Sequence, residues 1–547
     1  MKILSIHDGH NASAGIFDDN RILSCISEER LNRIKFFWGW PELSIKRALD
    51  ESHLTLDDID VVTVSHFDTK NYIKRKLSLS ESYNWRPKIF FGQLYNILQT
   101  IQKEMRIRRF AKGKKIKDIF FCDHHLAHAA SAYYFSGFED ALVVTIDWLG
   151  DSLSHTAYEV KNGQWNWLVK GGTQESLGAF YAAITEGLGF KPNRHEGKIV
   201  GLAAFGDYKE IESKDENWFV KISDDKLQFK RHNYAPMMDK VRQLIQEGHE
   251  RQDVAAYGQY LLEKLVVEHV NKLCELTGAK YLALAGGVFS NVKLNERLTE
   301  KCPIKKIFIQ PAMGDEGLVL GSAAYYLNKI ANKKFGKIEN VYFGPSFDDE
   351  QITKILEEKG YQYQIFDNVP RRVAELVNQG KIVGWFDGRM EFGPRALGSR
   401  SILADPRNKN INDILNKRLK RSEFMPFAPS ALYDKAEEVF EHVEQAWHPA
   451  EFMTITFKVK ENWQDKILAV VHVDGTARPQ LVRKDINGPY YEIINEYYKL
   501  TGIPLLVNTS FNMHEEPIVC TPQDALRSFE AGAVDYLVFN NKFMIAK

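Results

Sequence analysis

Much is scarce in these 547 residues. There are five cysteines, at 25, 122, 274, 302 and 520, widely spaced, odd in number and without a C-x-x-C pair. This excludes a disulfide framework and a thiolate zinc site, and a reducing compartment is expected. Long apolar runs are missing, and Met1-Lys-Ile-Leu-Ser-Ile-His-Asp8 meets charge too early for a signal-peptide core, so the expected location is cytoplasmic, with no membrane among the partners. Charge of one sign is missing as well: Lys+Arg 72 balances Asp+Glu 72. No global field draws the chain to nucleic acid, so any anion site must be local. There is no short repeat and no low-complexity segment. With 44% apolar and 26% charged residues, what remains is the composition of a globular protein too long for one core.

Short apolar runs alternate with longer amphipathic ones, which predicts an α/β fold. Strands are expected at 1–6, 12–17, 21–27, 59–64, 141–146, 280–285, 306–310, 381–386 and 504–507, a helix at 41–52, and a strand followed by a helix over 119–134. The stretch from about 70 to 117 breaks this rhythm. It is polar and helical in propensity, with eight Lys or Arg between 103 and 117. It reads as a solvated helical insertion, the alternative being a surface for an anionic acceptor or a partner helix. The main boundary is set near 340–348, where Gly344-Pro-Ser follows a Lys-rich helix, giving domains 1–343 and 344–547.

Three features carry chemistry. The run from Gly388 to Arg407 sets four arginines among three glycines and two prolines. Guanidinium forks grip oxyanions bidentately, and glycines let backbone N–H groups approach the same oxygens. Surface ion pairs are the plainer alternative, though they need no neighbouring glycines. Next, His124 and His128 are four apart in Asp123-His-His-Leu-Ala-His128 and share a helix face. His125 replaces the glutamate that follows the first histidine in zinc proteases, so the pair argues for a metal without that chemistry. Asp147, at a strand end, and Asp315 could complete a His2Asp2 shell suited to iron(II), manganese or zinc, iron first. The plainer reading is two ordinary helical histidines. Finally, glycine-bearing turns at 8–15, 197–206, 285–291 and 314–317 could offer N–H groups to phosphate. His10, inside the first, could deprotonate an acceptor hydroxyl or simply hydrogen-bond its turn.

Together, Asp8-Gly-His-Asn-Ala-Ser13, His124-His-Leu-Ala-His128, Gly197-Lys-Ile-Val-Gly-Leu-Ala-Ala-Phe-Gly206, Gly286-Gly-Val-Phe-Ser-Asn291, Gly393-Pro-Arg-Ala-Leu-Gly398, Pro426-Phe-Ala-Pro429 and Asn508-Thr-Ser-Phe-Asn512 resemble the O-carbamoyltransferases of the nodulation-protein U and antibiotic-tailoring family. The resemblance runs from residue 1 to about 540. It implies an actin-like (ASKHA, Kae1-like) N-terminal domain and a YrdC-like α/β C-terminal domain. It further implies that carbamoyl-adenylate is made from carbamoyl phosphate and ATP, with Mg(2+) accompanying the ATP, and that the carbamoyl group then passes to a hydroxyl of a sugar or small-molecule acceptor. By the same resemblance His124, His128, Asp147 and Asp315 are metal ligands, with Fe(2+) expected. Gly286, Gly287 and Asn291 form a nucleotide loop, and His10 lies near the transfer site. Arg395, Lys420, Arg478 and Ser510 hold carbamoyl phosphate and ATP phosphates, with Arg400 and Asn508 as further candidates. No nucleic-acid partner is implied. Oligomeric state is open, a homodimer among the options.

The chain departs from the family pattern in three places. Trp148 stands where members carry glycine after the third metal ligand. Met425 stands where many have arginine, in a 416–426 stretch one residue short, which loosens the match at Lys420. Glu515 replaces a glycine, so the turn before Glu516-Pro517 cannot rely on a free positive φ. Two rival functions share parts of the pattern. A Kae1-like tRNA-modifying transferase would want a basic face for RNA, and a non-catalytic nucleotide-binding module would not need two polar sites.

Overall fold

The computed structural model describes residues 1–79, 87–214, 229, 233–333, 335–421 and 424–547, with backbone alone at 79, 87–93 and 214. Its first two sheets follow one plan. In the first, β1 (Lys2–His7) pairs antiparallel with β2 (Ser13–Asp18) and parallel with β4 (Val61–Val64). With β3 (Arg21–Ser27) and β5 (Asp118–Phe121) at the edges, the order is β3-β2-β1-β4-β5. The second uses β6 (Ala141–Gly150), β7 (Leu153–Lys161), β8 (Gln164–Gly172), β9 (Tyr281–Ala285) and β10 (Lys306–Ile309). Its order β8-β7-β6-β9-β10 repeats the first, strand direction for strand direction. This duplication is the architecture expected of an actin-like unit. It lies in topology, which is why no sequence repeat reveals it. The central strands β1 and β6 are buried on both faces through Ile3–Ile6 and Ala141–Ile146, so each reads as an apolar run and not as an alternation.

Helices fill the connections. α1 (Glu28–Asn32) and α2 (Glu42–Glu51) follow β3, and the basic insertion between β4 and β5 forms α3 (Thr69–Leu79) and α4 (Pro87–Ala111). Its residues 80–86 lie outside the described ones. α5 (His124–Ser136) follows β5; Asp123 caps it by accepting from the Leu126 N–H at 2.7 Å, and Gly137 ends it with φ 75°. α6 (Leu177–Gly187) and α7 (Glu196–Ala203) follow β8. The segment 197–206, expected as a glycine turn, is therefore mostly α7: Ile199 and Val200 give it a buried face, and Gly201 lets it pack closely on Met425.

From residue 364 onward the chain builds one mixed sheet, of β11 (Gln364–Ile365), β12 (Val383–Phe386), β13 (Arg400–Ala404), β14 (Ala428–Leu432), β17 (Gln480–Val482), β18 (Leu505–Ser510), β19 (Tyr536–Phe539) and β20 (Phe543–Ala546). Its order is β11-β20-β19-β12-β13-β18-β14-β17, and β15 (Phe457–Lys458) pairs separately with β16 (Thr476–Ala477). Two expected strands extend further than the sequence suggests. β6 continues past Ile146 with a break in its ladder to β7, and β18 continues to Ser510, which pairs with Ser401. All five cysteines are buried and unbridged, and no described helix is long and apolar enough to cross a membrane.

Candidate active site

The C-terminal ends of β5, β6, β9 and β10 converge, and each delivers a polar group to one cavity of about 1380 Å³. β5 leads into α5, whose helical spacing puts His124 and His128 on one face. β6 carries Asp147 where its ladder breaks, and the turn after β10 carries Asp315. One ligand atom from each of the four lies within 4.8 Å of the others. His124 Nε2 is 3.4 Å from Asp147 Oδ2 and 3.5 Å from Asp315 Oδ1; His128 Nε2 is 3.8 Å and 3.3 Å from the same atoms. Both His128 nitrogens and Asp315 Oδ1 are buried without a hydrogen-bond partner among the described residues. Such orphaned donors and acceptors are what a bound cation would satisfy, so the set fits a metal.

Charge balance supports this. Burial alone would strip the proton from His128, but contacts with Asp147 and Asp315 outweigh it and push its pKa up to about 9. His124 moves up for the same reason, against its burial. Burial would raise the Asp147 pKa, yet the two histidines hold it well below the usual carboxylate range. Two carboxylates thus face two imidazolium protons, and a divalent cation with two neutral imidazoles carries the same total charge.

The backbone is shaped around these groups. Gly287 N–H donates to Asp147 Oδ1 at 3.0 Å, and Gly286 sits at φ 107°, where a Cβ would fall 2.3 Å from the Ile146 carbonyl oxygen. A Cβ on Gly150 would fall 2.0 Å from the His124 ring. His125 is a core residue: its nitrogens bond Thr145 Oγ1 and the Leu153 carbonyl. His10 lines the cavity, with Nδ1 3.9 Å from Asp315 Oδ2 and its ring stacked on Phe36. His7, which the sequence did not single out, also lines it. It bonds Ser65 Oγ and the His10 carbonyl, and burial pushes its pKa down to about 3. Trp148 lines the same cavity and stacks on Tyr234. Asn291 reaches the wall, but its amide is occupied: Oδ1 caps the helix Val292–Lys301 at Leu294 N–H, and both amide atoms bond Gln259.

A second cavity, of about 280 Å³, adjoins the first and shares with it Lys35, Arg194, Arg395 and Ser510 among other residues. Six cations line it, Lys35, Arg194, Lys198, Arg395, Arg421 and Arg478, against the single carboxylate of Glu515. Three sequence expectations change here. First, of the four arginines between Gly388 and Arg407, Arg395 is the one that reaches the cavities. Arg400 is fully buried, donates to the carbonyls of Asp387, Ser399, Pro345 and Gly388, and lies 3.6 Å from the Phe386 ring centre. Arg389 donates to the carbonyls of Leu23, Phe343 and Gly344, and Arg407 pairs with Asp405. The loop is a long hairpin connection from β12 to β13, without secondary structure to satisfy its own carbonyls, and arginines do so. Second, Lys420 is exposed at the end of the helix Ile411–Leu419, in left-handed conformation. The next residue, Arg421, turns into the cavity and donates to Thr509 Oγ1, Ser510 and Asn512. Third, Glu515 adopts φ 62° despite its side chain, held by His195 Nε2 and Arg194 Nη1, each at 3.1 Å. Asn508 also lines this cavity. Its Nδ2 is used by Ala396, Ser430 and Gln480, while Oδ1 is buried without a partner among the described residues.

The residues before Tyr326 match the family described as carbamoyltransferase N-terminus, over 2–324, and those from 374 to 547 match carbamoyltransferase C-terminus. The chain belongs to the carbamoyltransferase family and is an enzyme of that class. It is 34% identical over 559 residues to an uncharacterized protein of Methanocaldococcus jannaschii, covering 100% of this chain and 99% of that one. It is 34% identical over 550 residues to nodulation protein NolNO of Sinorhizobium fredii, covering 98% and 79%, and 26% identical over 542 residues to nodulation protein U of that species, covering 94% of each. Component A of the Acidaminococcus fermentans (R)-2-hydroxyglutaryl-CoA dehydratase aligns with 60% of this chain and 99% of that one at 16% identity; its TM-score of 0.34 is too low to build on.

Proposed function

We propose that this carbamoyltransferase forms carbamoyl-adenylate from carbamoyl phosphate and ATP in the cation-lined cavity and transfers the carbamoyl group to an acceptor hydroxyl in the larger one. The observation that carries this reading is that a small pocket with six cations shares a wall with a large pocket built around a His2Asp2 cluster. The smaller cavity suits phosphates that carry several negative charges. Arg395, Arg421 and Arg478 neutralise them, Ser510 donates its hydroxyl, and Asn508 Oδ1 accepts from the carbamoyl NH2. In the balanced reaction water cleaves carbamoyl phosphate to carbamate and phosphate, a carbamate oxygen attacks the α-phosphorus of ATP and pyrophosphate leaves, and AMP leaves when the acceptor oxygen takes the carbamoyl carbon. The larger cavity exceeds the usual range for a single ligand, about 300–1,000 Å³. It has room for the adenylate and an acceptor together, and enclosure protects a mixed anhydride that water destroys.

In the transfer step Gly287 N–H and the turn at Asp315 hold the cluster's carboxylates in place, and His10, beside Asp315, takes the proton from the acceptor hydroxyl. His124, His128, Asp147 and Asp315 would hold the metal, Fe(2+) in our reading, which supplies Lewis-acid polarisation when bound. In this reading the N-terminal unit, 1–343, is Kae1-like and 344–547 is YrdC-like. Family membership favours this over a tRNA-modifying transferase or a non-catalytic module. Mixing the protein with ATP and carbamoyl phosphate tests it: pyrophosphate should appear without any acceptor, and none, with metal retained, would sink the reading.

A further inference from the structure

The insertion that breaks the strand rhythm has two faces. The inner face of α4 contributes Asn96, Gln99, Thr100 and Lys103 to the large cavity, and near its end Ile107 is fully buried while Phe110 packs on Trp40 at 5.3 Å. The opposite face should be polar, as the outer side of a surface helix normally is. Instead Leu94 is 42% exposed, Leu98 48% and Met105 56%, at helical spacing along one stripe, with Tyr95 beside them at 61%. The same outward face then turns basic at Arg108, Arg109 and Lys112. Between 94 and 117 the chain carries eight Lys or Arg against one acid, Glu104, in a molecule of zero formal net charge.

We propose that this face docks the enzyme on an anionic lipid surface. A stripe of leucine and methionine flanked by lysine and arginine is the pattern of a helix lying in a membrane interface, apolar side chains among the acyl chains and cations at the headgroups. Other covers fit one half of the pattern only. Nucleic acid would take the cations and leave the apolar stripe in water. A second copy paired through the same face would cover the stripe but bring the cations no matching anions, since Glu104 is the one acid between 94 and 117. A bilayer satisfies both halves and needs no matching groove, which the outer side of a single helix does not offer. This revises the expectation of no membrane partner, which rested on the balanced global charge and the absence of a spanning run. The docked surface would lie about one helix diameter, ~10 Å, from the acceptor cavity whose wall α4 forms.

Vesicle flotation of the full chain tests this. It should float with vesicles of phosphatidylcholine mixed with phosphatidylglycerol about tenfold more than with phosphatidylcholine alone, and high salt should release it. Leu94→Glu with Leu98→Glu should abolish flotation, and so should Lys112→Glu with Lys115→Glu, a pair at exposed sites that keeps the test valid if the first variant folds poorly. Thermal melting reports folding independently of catalysis, so a failure of the carbamoyl-adenylate reading leaves this test intact. Absence of wild-type flotation would overturn the proposal, as would variants that float unchanged, a dimer broken by the Leu98 change, or retention of tRNA in place of vesicles.

Discussion

His128 has no hydrogen-bond partner on either ring nitrogen among the described residues, is 1% exposed, and lies within 3.8 Å of two carboxylates. Replacing it with alanine removes a ligand and leaves Asp147 and Asp315 facing each other with one imidazole. Elemental analysis of purified His128→Ala should show the metal lost. Transfer from supplied carbamoyl-adenylate should fall at least ~100-fold, the scale of a lost electrostatic stabiliser, while acceptor-independent pyrophosphate release stays within a few-fold of wild type. Loss of both half-reactions would contradict separate sites. At the second cavity the neighbours Lys420 and Arg421 give a sharper contrast. Arg421→Ala should cut pyrophosphate release by ~100-fold or more and Lys420→Ala by less than about twofold; the reverse order would place the anion on the wrong side of the helix end. The sequence pointed to His128 and Lys420 but did not single out Arg421, and the facing of Lys420 was not legible in it. A helix that ends in a left-handed residue reverses direction, and one position separates the solvent from the cavity.

The hairpin loop between β12 and β13 is organised from within. Glu391 Oε1 accepts from the N–H groups of Leu397, Ser399 and Arg400, and the Arg400 guanidinium gathers four carbonyls. The loop is built around this buried pair, and Arg395 is presented from it. Arg400→Met keeps the volume but leaves those carbonyls unpaired in the interior, at a cost of about 3–5 kcal/mol. Urea unfolding should show the drop, and an unchanged midpoint would return Arg400 to the list of ligand contacts. Strands and helices of the N-terminal half were readable because their signals are local: apolar runs of strand length and a 3.6-residue period. Arg400 was misread because a guanidinium spent on carbonyls and one spent on phosphate look alike in a glycine-rich segment.

Across the whole molecule, buried histidines set the acid limit. Among the described residues His269 has no hydrogen-bond partner on either nitrogen, and burial, then Lys272, pushes its pKa down to about 4; burial does the same to His448. Both folded values lie below the ordinary 6.5, so below pH 6.5 the unfolded chain binds more protons. The stability these two histidines contribute is present in full above about pH 6.5 and is lost as pH falls toward 4. For His269 the loss amounts to about 3 kcal/mol. Urea titrations between pH 7 and pH 4.5 should show this slope, and His269→Leu should make it shallower; an unchanged slope would remove His269 as a cause.

The residue types, their order along the chain and their local periods suffice for the α/β class, the histidine pair on one helix face, the arginine-rich loop and the family, because each depends on neighbours a few positions away. Long-range packing alone supplies the rest. It brings Asp147 and Asp315, 168 positions apart by their numbers, to one pair of histidines, duplicates a sheet without repeating a sequence, and leaves one of four loop arginines lining the cavities. Buried polar groups must find partners wherever the fold puts them, and which partner each finds is a property of three-dimensional neighbours that no local pattern encodes.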